Sequence, residues 1–175
     1  MANILILYST TDGHTKKICL KIQSVVESLG HDVKLFPIED KSDIDIMSFD
    51  KIIIGASIRY GKHKKEVIDF VDQNQLMLKN KPSAFFSVNV VARKSDKNHP
   101  DTNPYMRKFL SQVSWRPDKL EVFAGKIDYK KYRFFDRWMI RMIMFMTNGP
   151  TDPETVTEFT DWHQVEKFGR DISQM

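Results

Sequence analysis

The chain has 175 residues, 41% of them hydrophobic and 29% charged, which suits one soluble globular domain with a sizeable core. Its single cysteine, Cys19, excludes an intramolecular disulfide and fits a reducing compartment, and the five histidines are scattered without the paired spacing of a metal site. The net charge of +4 is local: residues 126–146 hold six basic side chains against two acidic ones, so the excess points to one anionic partner and not to a diffuse basic surface.

Residues 3–8 form a nearly continuous apolar run, the pattern of a strand buried on both faces of a parallel sheet. The N-terminus therefore reads as a strand and not as a signal peptide. A small, polar loop, Ser9 to His14, follows. Behind it Ile18, Ile22, Val25, Val26 and Leu29 fall at helical spacing, and Gly30 stands at the usual stop position. Residues 32–38 read as a second strand and 39–50 as an acidic, turn-rich stretch. Residues 51–56, "KIIIGA", read as a third strand. The loop "SIRYG" leads to a helix containing Val67, Phe70 and Val71. Residues 83–91, "SAFFSVNVV", are a fourth strand, and 103–113 a helix with Tyr105, Met106, Phe109 and Leu110 on one side. A short fifth strand spans 121–125. The last helix opens at Asp161 and Gln164, in cap-like spacing before Val165, Phe168 and Ile172.

Strands alternating with helices predict a parallel α/β sheet with helices on both faces. In such sheets ligands sit beyond the carboxyl ends of the strands, near the switch point. The Ser9–His14 loop, "SIRYG" and the segment after Val88 all lie at such ends. Ser9, Thr10, Thr11 and Thr15 offer hydroxyls, Gly13 permits a tight turn, and the free N–H groups of the following helix favour an anion. This cradle suits a phosphate monoester; a loop that merely caps its helix is the alternative. The dinucleotide pattern G-x-G-x-x-G is absent from the first turn. "GASIRYGKH" fails as a P-loop, because five residues separate Gly55 from Gly61 and His63 stands where Ser or Thr should hold magnesium.

"YSTTDGHT" before a helix resembles the FMN phosphate loop of flavodoxin-like proteins. "GASIRYGKH", "PSAFFSVNVVARK", "TNPYMRKFL", "WRPD", "AGKIDYKKYRFFDRWMIRMIM" and "FTDW" together resemble the flavodoxin-like bacterial protoporphyrinogen oxidases, the quinone-dependent protoporphyrinogen IX dehydrogenases. The resemblance covers residues 4–168. It implies a flavodoxin-like five-stranded parallel sheet of order 2-1-3-4-5 and non-covalent FMN. It places Ser9, Thr10, Thr11, Asp12, Gly13, His14 and Thr15 around the phosphate. Ser57, Ile58, Arg59, Tyr60 and Gly61 are expected beside the isoalloxazine, with Phe86, Ser87, Val88, Asn89 and Val90 approaching from the fourth strand. Phe86 and Val88 are equally readable as core, and Arg59 as a surface charge. The implied partners are protoporphyrinogen IX, menaquinone or ubiquinone, and the membrane surface, with no nucleic acid and with homo-oligomerisation left open. The implied location is peripheral, on the cytoplasmic face of the inner membrane.

Residues 127–153 read as an insert in the strand-five region of this single domain. As a helix, Arg133, Arg137 and Arg141 stack at i, i+4 spacing, and Phe135, Trp138, Met139, Met142, Ile143, Phe145 and Met146 cover much of the rest. The apolar part is about 20 Å long, too short for a ~30 Å bilayer core, and fits an interface instead. Three readings compete: a helix packed on its own domain, a membrane-surface helix with arginines at head groups and Trp138 at the boundary, and a substrate lid whose arginines meet propionates. No general base is evident in the sequence. The rival functions are a flavodoxin-type electron carrier, a general FMN quinone reductase, and a non-catalytic membrane- or nucleic-acid-binding module.

Overall fold

The computed structural model describes Met1–Met175, except the side chains of residues 41–43. Five strands, β1 (Asn3–Ser9), β2 (Asp32–Pro37), β3 (Lys51–Ser57), β4 (Ser83–Asn89) and β5 (Lys119–Ala124), form one parallel sheet in the order β2-β1-β3-β4-β5. The expected order and pairing are both present. The predicted fourth strand ends two residues early: residues 90–91 turn into a 3-10 helix because the Asn89 side chain accepts the Ala92 N–H and curls the chain.

Period-two alternation divides the strand residues between two cores. Leu5, Leu7, Ile52, Ile54, Phe85 and Val122 pack against α2 (Lys65–Gln73) and α4 (Pro104–Gln112). Ile4, Ile6, Ile53, Phe86 and Phe123 pack against α1 (His14–Ser28) and α6 (Trp162–Ser173). A short helix that the sequence reading missed, α3 (Gln75–Asn80), follows α2. Asp161 caps α6 as expected, its carboxylate accepting from the His163 and Gln164 N–H groups. Gln164 does not reach back to close a capping box; its amide goes to Glu121 and the Val122 carbonyl on β5. At the far end of α6, buried Lys51 donates to the Ile172 and Ser173 carbonyls, satisfying the helix C-terminus.

Two short strands were not legible in the sequence. Lys126–Asp128 (β6) and Val156–Glu158 (β7) pair antiparallel and form the neck of the insert. Between them stands α5 (Phe134–Met146), 13 residues and about 20 Å long. Tyr129, Tyr132 and Met144 form a small buried cluster of their own, so the insert carries its own minor core. No helix among the described residues is long and apolar enough to cross a membrane.

Candidate functional site

A cavity of about 370 Å³ lies at the carboxyl ends of β1, β3 and β4, within the usual ~300–1,000 Å³ of small-molecule sites. Its floor is the loop after β1. Gly13, at φ +84°, caps α1 in a backbone conformation that only glycine adopts without cost. The Gly13 N–H donates to Thr10 Oγ1 at 3.0 Å, and Lys64 Nζ holds the Thr10 carbonyl at 3.0 Å, so the loop is tied from both sides. The first turn of α1 has no side-chain cap and no acidic residue. Its leading N–H groups and dipole are thus left for an anion.

The buried hydroxyls of Ser9 and Thr15 have no hydrogen-bond partner within the protein. A buried unpaired hydroxyl costs ~1–3 kcal/mol. Two of them beside an uncapped helix N-terminus fit a phosphate whose oxygens complete their bonding. Thr10, Thr11, Asp12, His14 and Thr15 line the cavity; Ser9 and Gly13 do not. His14 is oriented by Thr160. Thr160 gives its one hydroxyl proton to the Ala124 carbonyl at 2.7 Å, so at the 2.7 Å contact His14 Nε2 must be the donor. Burial also pushes the His14 pKa down.

One wall comes from the loop after β3. Ser57, Ile58, Arg59, Tyr60 and Gly61 all line the cavity. Arg59 and Lys62 exchange backbone hydrogen bonds around Tyr60 (φ 51°) and Gly61 (φ 72°), both left-handed as a type I′ hairpin requires. The turn presents the Tyr60 ring, 59% exposed, at its tip. Lys108 on α4 donates to the Gly61 carbonyl at 3.3 Å and steadies the tip.

From β4, Val88, Asn89 and Val90 line the cavity, but Phe86 and Ser87 do not. Phe86 is fully buried in an edge-to-face cluster with Phe123 (5.3 Å) and Phe168 (5.9 Å). Its place is fixed by Gly55, its register partner on β3: a Cβ there would stand 2.2 Å from the Phe86 ring. Ser87 points into the opposite core and shares a 3.0 Å hydrogen bond with buried His63. His63 sits edge-on to Phe85 and Phe109, and burial lowers its pKa to about 4. Asn89 is locked by a side-chain pairing with Asn103, the α4 cap, at 3.1 Å.

The roof is α5. Met139, Ile140, Ile143 and Met144 close the cavity from above, and Tyr132 and Lys126 close its side. The arginine stripe is not there. Arg133 is the exposed N-cap of α5, Arg137 Nε is engaged by the Tyr129 carbonyl at 2.9 Å, and Arg141 is exposed. Arg133, Arg137, Trp138 and Arg141, expected to meet either substrate or the membrane, do not line this cavity. Side chains three and four apart share a helix face, and the cavity face is the methionine–isoleucine one.

The acidic residue of α5 carries a role that the sequence reading missed. Asp136 is buried, its Oδ2 2.6 Å from Arg59 Nη2, and its Oδ1 accepts from the Tyr60 hydroxyl. These donors hold its carboxyl below the usual range, the Tyr60 bond foremost. Arg59 also contacts Asp12 at 3.2 Å. Burial raises the Asp12 pKa more than Arg59 lowers it. A lone Asp among arginines and aromatics was the available signal. At the other end of α5, Arg93 donates to the carbonyl and hydroxyl of Thr147 at 3.0 and 2.9 Å.

A five-stranded 2-1-3-4-5 sheet with a hydroxyl-lined anion cradle after its first strand and an aromatic hairpin after its third defines a flavodoxin-like flavoprotein. Residues 5–154 match the flavodoxin domain family model. The chain is 42% identical over 171 residues to the protoporphyrinogen IX dehydrogenase (quinone) of Escherichia coli strain K12, covering 98% of this chain and 94% of that one. It is 43% identical over 175 residues to the protein of that name in Leishmania major, covering 98% of this chain and 74% of that one. Among solved structures, two-electron reduced Megasphaera elsdenii flavodoxin aligns at TM-score 0.58 and 15% identity, over 98% and 99% of the two chains. Oxidised flavodoxin 1 of Bacillus cereus aligns at 0.55 and 14%, over 99% and 98%. The chain belongs to the flavodoxin-domain family, among its protoporphyrinogen IX dehydrogenase (quinone) members. FMN is the cofactor of that family, and the orphaned Ser9 and Thr15 hydroxyls fit its phosphate.

Proposed function

We propose that this protein oxidises protoporphyrinogen IX to protoporphyrin IX with FMN as cofactor and a membrane quinone, menaquinone or ubiquinone, as acceptor. The observation that carries the reading is the identity of 42% over 98% of the chain, which runs through the α5 insert as well as the sheet. FMN, when bound, supplies a two-electron relay between substrate and quinone. The reaction removes six electrons and six protons from the macrocycle in three rounds, each reducing one quinone to a quinol.

The chain's own groups position the reactants. The α1 N-terminus, Ser9 and Thr15 anchor a phosphate, and the Arg59–Gly61 hairpin and Val88–Val90 flank the space beyond it. Met139, Ile140, Ile143 and Met144 exclude water and present the apolar, polarisable surface that a flat macrocycle favours. The opposite face of α5 exposes Phe134 (88%), Phe145 (76%), Met146 (76%) and Trp138 (55%) beside Arg141. Such a face suits the head-group boundary of a bilayer, where the quinone is dissolved. On this reading the protein works peripherally, on the cytoplasmic side of the inner membrane.

The test is anaerobic incubation of the FMN-loaded protein with protoporphyrinogen IX and a quinone, followed by porphyrin fluorescence. Quinone-dependent porphyrin formation supports the reading. Quinone reduction from other donors without porphyrin formation favours a general FMN quinone reductase. Yellow protein that exchanges electrons with redox partners but turns over neither substrate favours a carrier.

A further inference from the structure

The cavity of about 370 Å³ is of a size for one cofactor, and α5 closes it. α5 roofs the side from which a tetrapyrrole would approach a flavin there. Near its N-terminus the roof is fastened by the carboxylate of Asp136 on a receptor built from two residues of the hairpin. The receptor is rigid. Arg59 lies between the rings of Tyr60 (5.5 Å) and Tyr132 (5.3 Å), and Asp12 holds its other Nη. A guanidinium and a phenol converging on one buried carboxylate form a carboxylate-binding site.

We propose that Arg59 and Tyr60 are the receptor for a carboxylate of the substrate, and that Asp136 is an internal stand-in that occupies this receptor and keeps α5 closed until the substrate displaces it. The inference rests on the reading of a propionate-bearing tetrapyrrole as substrate. Exchanging one carboxylate for another on the same donors leaves the number of charge-assisted bonds unchanged. Release of α5 is therefore easy when substrate is present, and in its absence leaves the half-buried Arg59 beside Asp12 alone. Arg133, Arg137 and Arg141, which lie off the cavity, are not needed for this recognition.

The test compares the FMN-loaded parent with Asp136→Asn and Asp136→Ala, titrating each with protoporphyrin IX and with its dimethyl ester and reading tryptophan quenching. Retention of FMN shows that each variant is folded. Removing the internal competitor should tighten the free acid in both variants, about tenfold more than it tightens the ester. In the parent with Arg59→Gln, the free acid should weaken to the level of the ester. Equal binding of the free acid by parent and variants, or weaker binding by the variants, overturns the stand-in role. Equal tightening of acid and ester overturns it too, since α5 would then gate access without reading a carboxylate. If neither porphyrin binds any of the proteins, the substrate reading falls and this inference falls with it.

Discussion

Thr15 shows how a site can be read from an unpaired atom. Its hydroxyl is buried without a protein partner, at a place where a bound anion would complete the bond. Thr15→Val keeps the shape and removes the hydroxyl. A hydrogen bond to a charged group is worth ~1.5–3 kcal/mol, so FMN should bind about ten- to a hundredfold more weakly. Riboflavin, which lacks the phosphate, should bind as before, and the apoprotein should melt at the same temperature or slightly higher. Isothermal titration with both flavins checks this; equal weakening of both would remove Thr15 from the phosphate site. His63 makes a different prediction. Its folded pKa is about 4 against about 6.5 unfolded, so the unfolded chain binds the extra proton between those values. Stability should therefore fall as pH drops from about 6.5 to 4, by up to about 3 kcal/mol from this residue. His63→Gln keeps a hydrogen-bonding group toward Ser87 and should flatten that limb of the melting temperature against pH; an unchanged acid limb would contradict it.

At the scale of elements, the strands of the sheet were legible because residues buried on both faces leave continuous apolar runs, as in 3–8 and 51–56. β6 and β7 were not, since three residues each give no period to read. Phe86 was readable as core or as cofactor wall, because alternation says which residues share a face but not which face meets the ligand. The glycine opposite it, Gly55, was the clue: a missing side chain on one strand makes room for a ring on the next. The helix of the insert was read as a helix, but which of its faces meets the cavity was not. Charge drew the reading to Arg133, Arg137 and Arg141, whereas the cavity meets Met139, Ile140, Ile143 and Met144. The outer face makes its own prediction. Phe135, Trp138 and Phe145 are exposed, so changing all three to Ser should leave folding and FMN binding intact. Burying each such side chain in an interface is worth ~1.5–3 kcal/mol, so binding to anionic vesicles should fall at least a hundredfold in a sedimentation assay. Undiminished sedimentation would show that α5 does not meet the membrane through this face.

The molecule as a whole joins an ordinary sheet to one added device. The sheet supplies a cradle, a hairpin and a strand end at fixed separations, which is why the Ser9–Thr15 loop and "SIRYG" were recognisable before any coordinates. The insert supplies a roof with an apolar inner face, an apolar outer face and a carboxylate fastening on the Arg59–Tyr60 hairpin. That arrangement depends on which side of α5 meets Arg59, a long-range contact across 77 residues that no local pattern encodes. A carrier would keep its flavin edge open to protein partners; a closed roof suits an enzyme that admits a small substrate and excludes water. The direct test is anaerobic rapid mixing of the FMN-loaded protein, watching the flavin absorbance in two half-reactions. Protoporphyrinogen IX should bleach the flavin in the first, and added menaquinone or ubiquinone should restore it in the second, with porphyrin released over three such rounds. Flavin that stays oxidised in the presence of protoporphyrinogen IX, while dithionite reduces it and quinone reoxidises it, would contradict the account.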